Sequence, residues 1–229
     1  MAVKLVCFAS YLTRSDEPWS NEDHNASKFI KAIKGNRQFK GFATVPVRRN
    51  RLRLEMTNRN QAYRWFGHMA GDYLNAKWLQ HLEGPAYIVP LPSSEGVVGA
   101  TINRFPALRM AEELQKVTAY HTTVLDILRW REPKPSASSA GGSRNANVLR
   151  ENLVVTSKPP PGPCILVDDV CTSGGHLRAA VAALEASRRL TVIYAVCAGR
   201  TCQSRPENPW AIHVEELQEE PPDPFDVLF

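Results

Sequence analysis

An α/β fold, a parallel sheet flanked by helices, is what this sequence predicts, and three observations predict it. Apolar runs of strand length alternate along the chain with stretches of helical periodicity. Runs such as Cys164-Ile165-Leu166-Val167 and Thr191–Ala198 are almost wholly apolar, the pattern of strands buried on both faces. The 229 residues suffice for one substantial core with a subdomain added.

Each element follows in order. Val3–Ala9 reads as a first strand. Asn25 is placed to cap a short helix that carries Phe29, Ile30 and Ile33 on one face and ends at Gly35. Tyr63, Phe66, Ala70, Tyr73 and Trp78 recur at helical steps, predicting an amphipathic helix to about Leu82 that Gly84-Pro85 breaks. Ala86-Tyr87-Ile88-Val89 is a strand running into a loop, Pro90–Gly96. Phe105, Leu108, Ala111 and Leu114 mark a second helix. Pro133–Asn147, rich in Ser, Ala, Gly and Pro, is the most loop-like stretch of the chain. Leu153-Val154-Val155 is a short strand, and Pro159–Pro163 a stiff connector, because each proline ring fixes φ and removes a donor. Cys164–Val167 then leads to a helix marked by Leu177, Val181 and Leu184. Three regions result: an unassigned N-terminal segment (1–85), a main unit (86–205) and an acidic C-terminal tail (206–229).

Composition narrows the class. Hydrophobic residues at 43% and charged residues at 22% are ordinary proportions for a soluble globular protein. No run approaches the roughly 18 apolar residues of a membrane span. The apolar start ends at Ser10 and Thr13-Arg14-Ser15-Asp16 without a leader's long apolar region, so a cytoplasmic protein is expected. Five cysteines, widely spread and without a CxxC pair, read as free buried thiols. The six histidines show no metal spacing. Net charge is +5 but uneven. Arg48, Arg49, Arg51, Arg53, Arg59 and Arg64 crowd one stretch, while the tail beyond Arg205 is acidic. That pattern leaves open a solvated face, a nucleic-acid or other polyanionic partner, and attraction between the two segments.

One segment carries chemistry: Ile165-Leu166-Val167-Asp168-Asp169-Val170-Cys171-Thr172-Ser173-Gly174-Gly175-His176. It reads as a strand, two acids, a small polar turn and a helix. Backbone N–H groups at a helix N-terminus, with the helix dipole behind them, suit a phosphate. Thr172 and Ser173 add hydroxyl donors, and Gly174 and Gly175 let the backbone close around an anion. Adjacent carboxylates suit vicinal sugar hydroxyls, because each carboxylate accepts two hydrogen bonds. An acid pair that only caps a helix is the plainer alternative. A P-loop is excluded, since the turn has no Gly-Lys-Ser/Thr.

This segment resembles the 5-phosphoribosyl diphosphate (PRPP) signature of the type I phosphoribosyltransferases. The resemblance implies a type I phosphoribosyltransferase-like sheet with an additional N-terminal segment. Asp168 and Asp169 would hold the ribose hydroxyls, and Cys171, Thr172, Ser173, Gly174, Gly175 and His176 would surround the 5-phosphate. Val89-Pro90-Leu91-Pro92 resembles the strand leading to the family's pyrophosphate loop, here Leu91, Pro92, Ser93 and Ser94. Pro133–Asn147 stands where the family has a mobile catalytic loop. Within the family the competence protein F (ComF-like) group is nearest, through the strand at Val89–Pro92, Arg104-Phe105 before a helix, and Arg150-Glu151-Asn152. That group's zinc-binding cysteine pairs are absent from this chain.

What the resemblance implies is transfer of a 5-phosphoribosyl group from PRPP to a nitrogenous base, with Mg²⁺ accompanying the diphosphate. The alternative is a non-catalytic PRPP- or nucleotide-sensing, or DNA-handling, protein. The expected partner is PRPP or a nucleoside monophosphate; a nucleic acid at Arg48–Arg64 and a second copy of the chain are left open. Trp210 invites base stacking or, equally, a surface anchor. One departure stands out: Ser93-Ser94-Glu95 brings no cation to the pyrophosphate loop. Arg104, Arg144 and Arg150 are the candidates to supply it.

Overall fold

A computed structural model describes residues 2–13, 16–35, 39–100, 104–119, 122–133 and 146–217. In chain order its elements are β1 (Lys4–Cys7), β2 (Ser10–Leu12), α1 (Asn21–Ile33), β3 (Phe42–Val47), β4 (Asn50–Glu55), α2 (Gln61–Lys77), β5 (Ala86–Pro90) and α3 (Pro106–Val117). There follow β6 (Thr122–Val124), β7 (Leu128–Trp130), α4 (Ala146–Asn152), β8 (Leu153–Val155), β9 (Gly162–Cys171), α5 (Gly175–Ala186), β10 (Leu190–Cys202) and β11 (His213–Glu216).

The central sheet runs β11-β1-β10-β9-β5-β6, with β2 also paired to β10. Every pairing in it is parallel except that of β11 with β1. Side chains alternate across this sheet, as the two-residue period of a strand requires. Ile165, Val167, Val196 and Ala198 join one apolar cluster with residues of α1, α2 and α3. Cys164, Leu166, Ala195 and Cys197 join another with Leu149 of α4 and Leu177 and Leu184 of α5. The protein is therefore α/β, with a mostly parallel sheet flanked by helices on both faces. No helix among the described residues is long and apolar enough to cross a membrane.

Several boundaries differ from the sequence reading, each for a physical reason. Helix α1 begins at Asn21, capped by Ser20 rather than Asn25, because Ser20 and Asp23 form a reciprocal capping box. The Ser20 hydroxyl accepts from the Asp23 N–H at 3.2 Å, and the Asp23 carboxylate accepts from the Ser20 N–H at 2.7 Å. Asn25, read as the cap, lies inside the helix and accepts the Thr44 N–H at 3.1 Å, tying α1 to β3. Strand β9 starts inside the proline connector and runs through both acids to Cys171, since the long β10 pairs with it as far as Arg200. The sheet also draws on all three regions marked out in the sequence, with β1 from 1–85 and β11 from the tail. Of the loop-like stretch at 133–147, residues 134–145 lie outside the described residues.

Two close approaches lock α2 onto α3. On α2, a Cβ placed on Gly67 would lie 2.7 Å from the Glu113 carbonyl oxygen, and one on Gly71 would lie 3.0 Å from Val117. Side chains at those positions would push α2 away from α3, and α3 forms part of the site described next.

Candidate functional site

Two strand-to-helix corners face each other at the C-terminal ends of β9 and β5, where open parallel sheets place their ligands. At the first, β9 carries Asp168 and Asp169 to its end, Thr172-Ser173-Gly174 turns, and α5 starts at Gly175. Gly174 has φ of 82°, a left-handed conformation that only glycine adopts without strain. At the second corner, Leu91, Pro92, Ser93 and Ser94 leave β5, and the wall resumes with Phe105, Pro106 and Ala107 at the start of α3. Together these segments enclose a cavity of about 330 Å³, the lower end of the range for small-molecule sites.

All eight residues read as the sugar and phosphate grip, Asp168, Asp169, Cys171, Thr172, Ser173, Gly174, Gly175 and His176, line this cavity. So do the four of the second loop, Leu91, Pro92, Ser93 and Ser94. Asp168 accepts the Asp169 N–H through Oδ1 at 2.8 Å, which fixes its carboxylate at the strand's end. Burial pushes the Asp169 carboxyl above the usual carboxylate range, and the Lys34 ammonium opposes that rise. Burial also pushes the Cys171 thiol up to about 12, so Cys171 stays protonated at neutral pH and offers the cavity no thiolate. The Ser173 hydroxyl accepts the Gly175 N–H at 3.4 Å, a contact at the long limit of a hydrogen bond.

The other candidates stand elsewhere. Arg104 is exposed and outside the cavity wall, which resumes at its neighbour Phe105. Arg150 is exposed on α4 and also off the wall, and Arg144 lies outside the described residues. Trp210 is not among the wall residues either. Its indole N–H donates to Glu22 at 2.7 Å and its ring lies 5.8 Å from that of Phe29, so it anchors the C-terminal segment to α1. Burial would raise the Glu22 carboxyl, but hydrogen bonds from Arg51 and Trp210 outweigh it and hold it below the usual range.

The arginine stretch is partly neutralised within the chain. Arg48 makes a two-nitrogen pair with Asp72 at 2.7 and 2.8 Å, Arg51 meets Glu22 at 2.7 Å, and Arg53 meets Glu55 at 2.5 Å while lying over Phe42. These partners come from α1, α2 and β4 rather than from the acidic tail. Four of the five thiols are buried, and all five are free.

Two features escaped the sequence reading, one on the wall and one packed against wall residues. Lys34 is the only lysine or arginine among the described residues of the wall. It follows α1 directly, where Gly35, at φ of 70°, donates to the Ala32 carbonyl and closes the helix. Tyr63 of α2 supports that end by donating its hydroxyl to the Ile33 carbonyl at 2.8 Å, and Arg109 of α3 lies 4.2 Å from the Tyr63 ring centroid. The second feature is Trp130, fully buried on β7. Its indole N–H donates to the Pro92 carbonyl at 3.3 Å and its ring packs 5.7 Å from His176, so one side chain braces both corners.

The fold and cavity define an α/β protein with a cavity at the strand ends. No family model matches the chain, and no curated protein does. Among solved structures it is similar to TT1426 from Thermus thermophilus, with 14% identity over 63% of this chain and 84% of that one and a TM-score of 0.33. It is also similar to the AQ2163 protein from Aquifex aeolicus, with 9% identity over 84% and 79% of the two chains and a TM-score of 0.28.

Proposed function

We propose that this is a type I phosphoribosyltransferase-like protein that binds PRPP with Mg²⁺ and transfers its 5-phosphoribosyl group to a nitrogenous base, releasing pyrophosphate. The observation that carries the reading is that two carboxylates and a glycine-containing helix start share one end of a single cavity. In this reading Asp168 and Asp169 accept hydrogen bonds from the ribose 2- and 3-hydroxyls. The turn Thr172–Gly175 and the first amides of α5 bind the 5-phosphate. Leu91–Ser94 and the start of α3 lie on the side left for the diphosphate, with Lys34 as the cation that Ser93 and Ser94 do not supply.

Mg²⁺ would arrive with the diphosphate and neutralise part of its charge. The two carboxylates offer it hard oxygen donors, and no cluster of three or more metal-ligating side chains exists among the described residues. The bond from the anomeric carbon to the diphosphate oxygen breaks, its electron pair leaving on that oxygen. A base nitrogen forms the new bond to the anomeric carbon and releases its proton to the departing pyrophosphate or to solvent. The protein's part is positioning and charge stabilisation as the sugar ring gains positive character.

A second reading, a non-catalytic PRPP- or nucleotide-sensing or DNA-handling protein, is favoured by one observation: the Leu91–Ser94 wall holds no cation and Arg104 stands off it. Pyrophosphate release from PRPP and Mg²⁺, assayed with a panel of purine and pyrimidine bases, separates the two. Base-dependent release supports the transferase. PRPP binding without release from any base supports the second reading.

A further inference from the structure

Two arginines outside the cavity wall reach the backbone of the proposed phosphate turn. Arg178 of α5 donates from Nη1 to the Ser173 carbonyl at 2.9 Å. Arg200 of β10 donates from Nη1 to the Thr172 carbonyl and, at 3.4 Å, to the Cys171 sulfur. The Arg200 Nη2 is in turn held by Glu215 of β11 at 3.1 Å. Thr172, Ser173 and Gly174 line the cavity, whereas Arg178 and Arg200 do not.

From this geometry we infer that Arg178 and Arg200 are positioning residues that aim the amides of the phosphate turn into the cavity, with Glu215 as the anchor of Arg200; the inference rests on the phosphate site proposed above. A trans peptide unit is planar, and its C=O and N–H point in opposite directions. A guanidinium outside the cavity that holds the Thr172 carbonyl therefore turns the Ser173 N–H the other way, toward the cavity. The Arg178 bond to the Ser173 carbonyl does the same for the Gly174 N–H. Without these two donors either carbonyl is free to rotate inward and present its negative end to an anion. The left-handed Gly174 fits the same arrangement, since a Cβ there would stand 3.1 Å from Arg178 Nη1. Strand β11 thus acts on a turn that its own residues do not line.

Glu215→Gln tests this with opposite signs for the two ways these side chains can act. Its side chain is 48% exposed and outside the cavity wall, so the fold has little reason to change. Acting through charge alone, loss of a carboxylate near an anion site tightens binding. Acting through position, the loss frees Arg200 and weakens binding. Calorimetry of the full chain with ribose 5-phosphate should show the variant about threefold weaker than the unaltered protein, with an unchanged melting temperature. Equal or tighter binding overturns the inference. Arg178→Ala gives a second measure: a loss of about tenfold that persists when salt is raised to about 1 M, where the Debye length falls to about 3 Å. A loss that disappears there assigns Arg178 a charge role and overturns its half of the inference. Failure of the unaltered protein to bind ribose 5-phosphate would instead remove the phosphate site, and with it this inference.

Discussion

The two corners that enclose the cavity are built by different means. At β9–α5 the carboxylates, hydroxyls and glycines follow one another within Asp168–Gly175, and the sheet and helix hold them in place. At β5–α3 the wall is apolar or neutral and brings no cation; Lys34, the wall's lysine among the described residues, comes from the end of α1, and its charge acts on Asp169. The first corner is complete within one stretch of sequence, whereas the cavity's lysine is brought to it across the fold. Chemistry that is local in sequence can be read there, whereas chemistry assembled in space needs the packing.

Substitutions at the two corners should therefore behave differently. The largest effect is expected from Gly174→Ala. An alanine at φ of 82° costs about 1–3 kcal/mol and meets Arg178 and Leu217 at 3.1 Å. The melting temperature should fall, and ribose 5-phosphate should bind at least about tenfold more weakly. Across the cavity, Ser94→Ala should stay within about twofold by the same calorimetric titration. Equal effects at the two corners would break the comparison.

Next comes Lys34→Gln, which sharpens it. If Lys34 serves the diphosphate, PRPP should lose about tenfold in affinity, the scale of a hydrogen bond to a charged group. Ribose 5-phosphate, lacking the diphosphate, should change by less than about twofold. Parallel titrations with the two ligands check this.

The smallest effect concerns stability and pH. The Asp169 carboxyl is raised in the folded protein, chiefly by burial. The folded state thus holds its proton more tightly than the unfolded chain does. This favours folding below the unfolded value of about 3.9 and is lost as pH rises through the folded value. Asp169→Asn should therefore stabilise the protein at neutral pH, by about 0.5–2 kcal/mol. The gain should shrink as pH falls toward the ordinary carboxylate range. Thermal melts across that span measure it, and a variant less stable at neutral pH would contradict the assigned cause.

The alternation of apolar strands with helical periodicities was enough to read the α/β architecture, and the acid pair with its glycine turn was enough to read one wall of the cavity. What could not be read has identifiable causes. Lys34 is one lysine on a helix end; its role depends on α1 packing beside β9, a contact between distant parts of the chain. Trp130 reads as an ordinary buried aromatic until its indole N–H is seen on the Pro92 carbonyl. Trp210 left base stacking and surface anchoring equally open, and the partner that makes it an anchor, Glu22, lies 188 positions away. Asn25 lost the cap to Ser20 because a complete capping box satisfies two backbone donors where a lone side chain satisfies one.

The proposed site stands most directly on the two carboxylates. Calorimetry with PRPP and Mg²⁺ should compare the unaltered protein with a variant carrying both Asp168→Asn and Asp169→Asn. Amides accept fewer hydrogen bonds from the ribose hydroxyls, at about 1–3 kcal/mol for each group left unpaired. The variant should therefore bind at least about tenfold more weakly while keeping its fold by circular dichroism. Equal affinity in an intact fold would show that these carboxylates do not hold the sugar, and would contradict the proposed site.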